Sequence, residues 1–180
     1  MEIKRSGALY QLRWVTRVLA VVILLLVVIG MLLPSRYHIE RSIFINVPVD
    51  RASLYLGDLS AWHQWMYLPN EGEFLENDSA SVVEGEPSLV IKNLDSKDGL
   101  LEIVSFGDNT VSFYVIPKAD MLPVSNQLDW RAEGRGVRVS WQVDGELNAG
   151  FISPYIAFFA NDIAGSNMEN SLQSLKERLQ

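Results

Sequence analysis

The chain has 180 residues, with 15 Lys and Arg against 22 Asp and Glu, and no cysteine. A formal charge of −7 opposes nucleic-acid binding, which depends on basic surface facing phosphate. The missing cysteines exclude disulfides, thiolate catalysis and cysteine-ligated metals.

The first element is apolar. Val18 to Leu33 is a run of sixteen residues without a charge, and starting at Trp14 gives twenty interrupted only by Thr16 and Arg17. At about 1.5 Å per residue the shorter run reaches about 24 Å and the longer about 30 Å, the thickness of a hydrocarbon core if Arg17 snorkels to the interface. The run ends in Leu32, Leu33, Pro34, Ser35, Arg36 and Tyr37, without the small-x-small site of a cleaved signal peptide. One transmembrane helix over 14–33 is expected, with a tail at 1–13 and a single domain at 34–180. Lys4, Arg5, Arg13 and Arg17 precede the span, so the positive-inside bias predicts a cytoplasmic N-terminus and an outward-facing domain. Trp14 and Tyr37 fall where interfacial aromatics sit. From Pro34 onward 11 basic residues face 21 acidic ones, so membrane proximity is expected to come from the tether and not from a basic patch.

About 147 residues follow the span, enough for one core. The segment Ile39 to Val47 predicts a strand, with Ile43, Ile45 and Val47 alternating with Ser42 and Asn46 while Phe44 breaks the pattern. Pro48 ends it, a short helix is predicted from Val49 to Leu56, and a second turn from Asp58 carries Trp62 and Trp65. Glu71, Glu73, Glu76, Asp78, Glu84 and Glu86 form an acidic stretch that lacks the ligand spacing and central glycine of a calcium loop; it reads as a solvated hairpin, and the Asn77–Ser79 sequon within it as chance. Leu89 to Leu94, Leu100 to Phe106 and Val111 to Ile116 are strand candidates separated by the turn-forming groups Ser96–Gly99 and Gly107–Asn109. A hairpin then places Leu128, Trp130 and Ala132, with Val137, Val139, Trp141 and Val143, on one face across the turn Gly134–Gly136.

Ser153 and Pro154 read as an N-cap and first turn. Ile156, Phe159, Ile163, Met168, Leu172, Leu175 and Leu179 recur at mostly three- and four-residue steps, which predicts one apolar helix face. Gly165 within it costs about 1 kcal/mol relative to alanine, so it serves close packing against the sheet or room for a ligand. Strands first and a long helix last predict an α+β domain.

The opening ERSIFINVPVDRASLYLGDLSAWHQW, the strand GVRVSWQVDGEL and the ending NMENSLQSLKERL together resemble the START-like SRPBCC superfamily, in the branch of bacterial polyketide cyclase or dehydrase-like proteins. The resemblance covers Tyr37 to Leu179. It implies a helix-grip (START/Bet v 1-like) fold, in which a curved antiparallel sheet wraps a long C-terminal helix, and a hydrophobic small molecule or lipid held between them. Trp65, Phe113, Trp130, Trp141, Phe159 and Ile163 are the ligand-lining candidates, drawn from the faces that also build the core.

Catalysis has little to draw on. There is no Gly-x-Ser-x-Gly elbow, His-Glu-x-x-His pair, phosphate loop or dinucleotide fingerprint, and no metal or cofactor is expected. Of the two histidines, His38 follows the membrane exit and His63 sits between Trp62 and Trp65, where Asp58 is the nearest carboxylate to orient it as a general base. Three readings follow: a membrane-anchored binder of an apolar ligand, a polyketide cyclase-like enzyme using His63, or an envelope protein-interaction module with a closed core. Fold membership alone does not choose among them.

Overall fold

The computed structural model describes residues 5–67, 73–74, 81–83, 86–92, 98–117 and 121–180. Helix α1 (Arg5–Leu32) leads into strand β1 (Arg36–Ile45), helix α2 (Val49–Gly57) and a 3-10 turn (Leu59–Gln64). Strands β2 (Glu73–Phe74), β3 (Ser81–Val83), β4 (Glu86–Lys92), β5 (Gly99–Phe106), β6 (Thr110–Ile116), β7 (Val124–Glu133) and β8 (Gly136–Glu146) follow. A second 3-10 turn (Gly150–Ile152) opens the long helix α3 (Ser153–Leu179). The strands form one antiparallel sheet in the order β1-β8-β7-β6-β5-β4-β2, with β3 paired to β4. First and last strands thus lie side by side, and α3 packs along β1. This is the α+β helix-grip arrangement preceded by one apolar helix.

In α1 the stretch Tyr10–Leu32 is long and apolar enough to cross a membrane. It is solvent-exposed almost throughout, whereas an all-apolar helix belongs in lipid or against a partner. Of the acidic stretch, Glu71, Glu76, Asp78 and Glu84, together with the sequon, lie outside the described residues. So do Ser96 and Lys97 of the turn expected at Ser96–Gly99.

Alternation decides which side of each strand is buried. On β1 the residues Tyr37, Ile39, Arg41, Ile43 and Ile45 face inward, and Phe44 breaks the pattern only by composition, since it lies outside. On β5 Leu101 and Ile103 are buried while Val104, at a register shift, is exposed. The β7–β8 hairpin turns on Gly134, whose φ of +58° is left-handed, as a two-residue loop between paired Glu133 and Gly136 requires.

The C-terminal helix departs from expectation in two ways. Ser153 is its first helical residue and not its cap: its hydroxyl accepts a hydrogen bond from the Ala149 N–H. More importantly, the apolar residues do not share one face. Met168, Leu172, Leu175 and Leu179 are buried on the sheet, but Phe159 and Ile163 are 56% and 68% exposed. The cause is the five-residue step from Ile163 to Met168, which rotates the pattern by about 140° beyond a full turn.

Gly165 lies over β1 where a side chain would meet the Arg41 guanidinium. Arg41 in turn donates from Nε to the Glu169 carboxylate at 2.6 Å. The glycine therefore serves packing of helix on sheet. Gly165→Leu is expected to lower stability by about 1–3 kcal/mol through overpacking, and by measurably less in an Arg41→Ala background, as a double-mutant cycle in urea will show.

Across the β7–β8 hairpin, Arg138 donates to both carboxylate oxygens of Glu133, at 2.5 and 2.7 Å. This hydrogen bonding holds the Glu133 carboxyl below its usual range. Its contribution is complete above the ordinary glutamate pKa and is lost as pH falls through the depressed folded value. Thermal unfolding across pH is expected to show Glu133→Gln less stable than wild type near neutrality, with the gap closing in acid.

Candidate functional site

The inward side of the sheet carries a closed circuit of aromatic rings. Trp62 contacts Trp65 at 5.7 Å and Phe113 at 5.0 Å between ring centroids; Trp141 meets both Trp65 and Phe113 at 6.2 Å. The pairs are tilted or edge-on, as ring quadrupoles favour. Three elements assemble this circuit. Alternation on β6 and β8 turns Phe113 and Trp141 inward, and the 3-10 turn drops Trp62 and Trp65 onto them. That turn is set by Asp58, which accepts from the Ser60 backbone N–H at 3.0 Å and from the Ser60 hydroxyl. Its far end is tied to α3, where the buried Ser171 hydroxyl accepts the Tyr67 N–H at 2.8 Å.

Indole N–H groups need acceptors when buried. Trp62 donates to the Leu56 carbonyl at 2.9 Å, Trp130 to the Ser53 hydroxyl at 2.7 Å, and Trp141 to the Asn126 side-chain oxygen at 3.0 Å. Trp65 is buried as deeply, yet its N–H has no partner among the described residues; the Thr110 hydroxyl shares that condition.

The structure thus brings Trp65, Phe113, Trp130 and Trp141 to the interior and leaves Phe159 and Ile163 outside it. Those two cannot line a space between sheet and helix, because the five-residue step in α3 turns them to the opposite side. His63 is exposed on the 3-10 turn, and Asp58, expected to orient it, is occupied as the cap. His38 pairs with Asp144 across β1–β8 at 2.7 Å, exposed at the end of the sheet where α1 joins.

Sequence reasoning missed two inward polar groups. Asn126 is buried and both accepts from Trp141 and donates to the Val124 carbonyl at 2.9 Å. Extending the alternation of Leu128 and Trp130 two residues upstream would have placed it inside. Arg41, by the same period, falls between Ile39 and Ile43 on the inward side of β1.

Open grooves flank α3. One of about 310 Å³ lies between β1 and the helix, lined by Arg41, Ile43, Glu169 and Gln173 among others. Another of about 290 Å³ runs past Tyr67 and Glu177. The second has mainly polar walls, while the first mixes polar side chains with Ile43 and Leu172. Among the described residues no group of three His, Cys, Asp or Glu is placed to hold a metal ion.

No family model matches the chain, and no curated protein does. Solved structures do match in fold. A protein of Thermobifida fusca aligns over 79% of this chain and 92% of its own, with 15% identity and a TM-score of 0.59. A protein of Thermus thermophilus aligns over 79% and 96%, with 19% identity and a TM-score of 0.58. BexL, a di-domain ARO/CYC protein from the BE-7585A biosynthetic pathway, aligns over 82% of this chain but 51% of its own, with 15% identity and a TM-score of 0.56. The chain therefore spans about half of BexL. These likenesses show a shared α+β helix-grip fold.

Phe113→Ala is expected to cost about 3–5 kcal/mol by opening the aromatic circuit, whereas His63→Ala stays within about 0.5 kcal/mol. Urea unfolding of the full chain in mild detergent, followed by near-ultraviolet circular dichroism, measures both.

Proposed function

We propose that this protein is a membrane-anchored binding domain that holds a hydrophobic, lipid-like small molecule against the aromatic wall between sheet and α3. The observation that carries this reading is the Trp65 N–H, buried without an acceptor among the described residues, beside three tryptophans whose donors are all matched. An unmatched buried donor costs about 1–3 kcal/mol, and a carbonyl or hydroxyl oxygen on a bound ligand would recover it. A mostly apolar wall with one or two polar groups is the usual make-up of a small-molecule site.

In this reading α1 is a single-pass anchor in the inner membrane. Lys4, Arg5, Arg13 and Arg17 hold the N-terminus in the cytoplasm, and the domain faces the periplasm or its equivalent. Binding without turnover is favoured by His63, exposed and without an orienting carboxylate among the described residues. The ARO/CYC neighbour supports a second reading, an enzyme that shapes a polyketide-like substrate in the same interior.

Native mass spectrometry with lipid extraction, on the full chain purified in mild detergent, is expected to show a reproducible bound small molecule. Trp65→Phe keeps an aromatic ring, though a smaller one, and removes the donor; the loss of one hydrogen bond at about 0.5–1.5 kcal/mol is expected to weaken binding by at least about 2- to 13-fold, with the fold intact by circular dichroism. A chain that is empty as purified and refuses a panel of lipids and aromatic compounds overturns the proposal.

A further inference from the structure

The apolar residues around the start of α3 do nothing inside the fold. Phe151, Ile152, Ile156, Phe158, Phe159 and Ile163 are exposed by 44% to 78%. From Gly150 to Ile163 the one charged residue is Asp162, which lies off the stripe formed by Ile156, Phe159 and Ile163. Ile152, Ile156, Phe159 and Ile163 succeed one another at three- and four-residue steps, so they form one stripe, on the side of the helix opposite Met168, Leu172 and Leu175. A contiguous exposed apolar surface of this kind marks a docking site.

What lies beside that surface is α1. The Tyr155 hydroxyl donates to the Leu26 carbonyl at 2.7 Å. Leu26 is six residues short of the end of α1 at Leu32, a distance of about 9 Å along the axis. Gly30 is buried at the same contact, where a Cβ would collide with the Phe151 carbonyl and the Tyr155 ring. The opening of α3 therefore runs alongside α1 and not beyond its end. In a bilayer with a core about 30 Å thick, each leaflet contributes about 15 Å, which puts a group 9 Å inside the span at acyl-chain depth.

We infer that the segment Gly150–Ile163 is a second membrane contact, seated in the leaflet on the domain side with its apolar stripe against lipid acyl chains. The inference rests on the reading of α1 as a membrane span. Lipid is favoured over a protein partner because the stripe is continuous with the lipid-facing surface of α1. The acidic domain gives no attraction to anionic headgroups, so the contact is made through apolar area and not through charge. Its effect is to fix how the domain stands on the bilayer, where a single tether would leave it free to swing.

The absence of cysteine gives a direct test. Single substitutions Phe159→Cys and Ile163→Cys, with Ile23→Cys in α1 and Leu54→Cys on exposed α2 as references, are labelled with a polarity-sensitive fluorophore. The full chain is then reconstituted in phosphatidylcholine liposomes containing lipid with a nitroxide on its acyl chain. Probes at 159 and 163 are expected to emit at shorter wavelength and to be quenched several-fold more than the probe at 54, as the probe at 23 is. Quenching at 159 and 163 no greater than at 54, with 23 quenched, overturns this inference and leaves the span intact. Emission at short wavelength without quenching would then assign the stripe to a protein partner or second copy, and emission at long wavelength to water. If 23 is unquenched, the span reading fails and takes this inference with it.

Discussion

The packing of α3 on β1 combines two unlike contacts. Met168, Leu172, Leu175 and Leu179 bury an apolar stripe on the sheet, and beside it Arg41 lies under the helix at Gly165 and pairs with Glu169. The apolar stripe supplies most of the free energy, since each large side chain fully buried is worth about 1.5–3 kcal/mol. The arginine contributes position. A partly exposed ion pair adds little stability, but a guanidinium seated where a residue has no side chain admits one axial register of helix on strand. That register aligns Ser171 with the Tyr67 N–H, and so fixes the turn that carries Trp62 and Trp65.

From this register the interior follows. The 3-10 turn can deliver two tryptophans to the sheet only if its two ends are held, one by the Asp58 cap and one by Ser171 on α3. Phe113 and Trp141 then complete the circuit by strand alternation alone. Rings in edge and tilted contact fill space without the interchangeability of aliphatic side chains, so the position of each indole N–H is determined. Of the four buried indole donors, those of Trp62 and Trp141 in the circuit and of Trp130 outside it meet acceptors supplied by α2, its C-terminal turn and β7. The fourth, on Trp65, is left over by the geometry of the same circuit, and that unmatched donor is what the proposed ligand reading rests on.

Much of this was legible in the sequence. The order of strands and helices, the hairpin at Gly134 and the inward placement of Trp130 and Trp141 follow from period-two alternation, which a sheet with one buried face enforces strictly. The apolar length of α1 follows from composition. The site was less legible for two physical reasons. Inward polar residues such as Asn126 and Arg41 carry no signal in a hydrophobic pattern, since the pattern reads position only through apolar residues. Helical phase accumulates error, so that a stripe judged by mostly three- and four-residue steps absorbs one five-residue step unnoticed. That step sends Phe159 and Ile163 to the far side of the helix from Met168.

The same step explains how one helix serves two environments. A 27-residue helix with an unbroken apolar stripe would need one partner surface along its whole length, and β1, with ten residues, covers at most about 33 Å of an axis about 40 Å long. The turns at the α1 end must find another. There the rotated apolar stripe stays exposed, and Tyr155 on the neighbouring flank joins the helix to α1 through the Leu26 carbonyl. The sheet-facing half holds the interior in register, and on the proposed reading the rotated half holds the domain to its anchor.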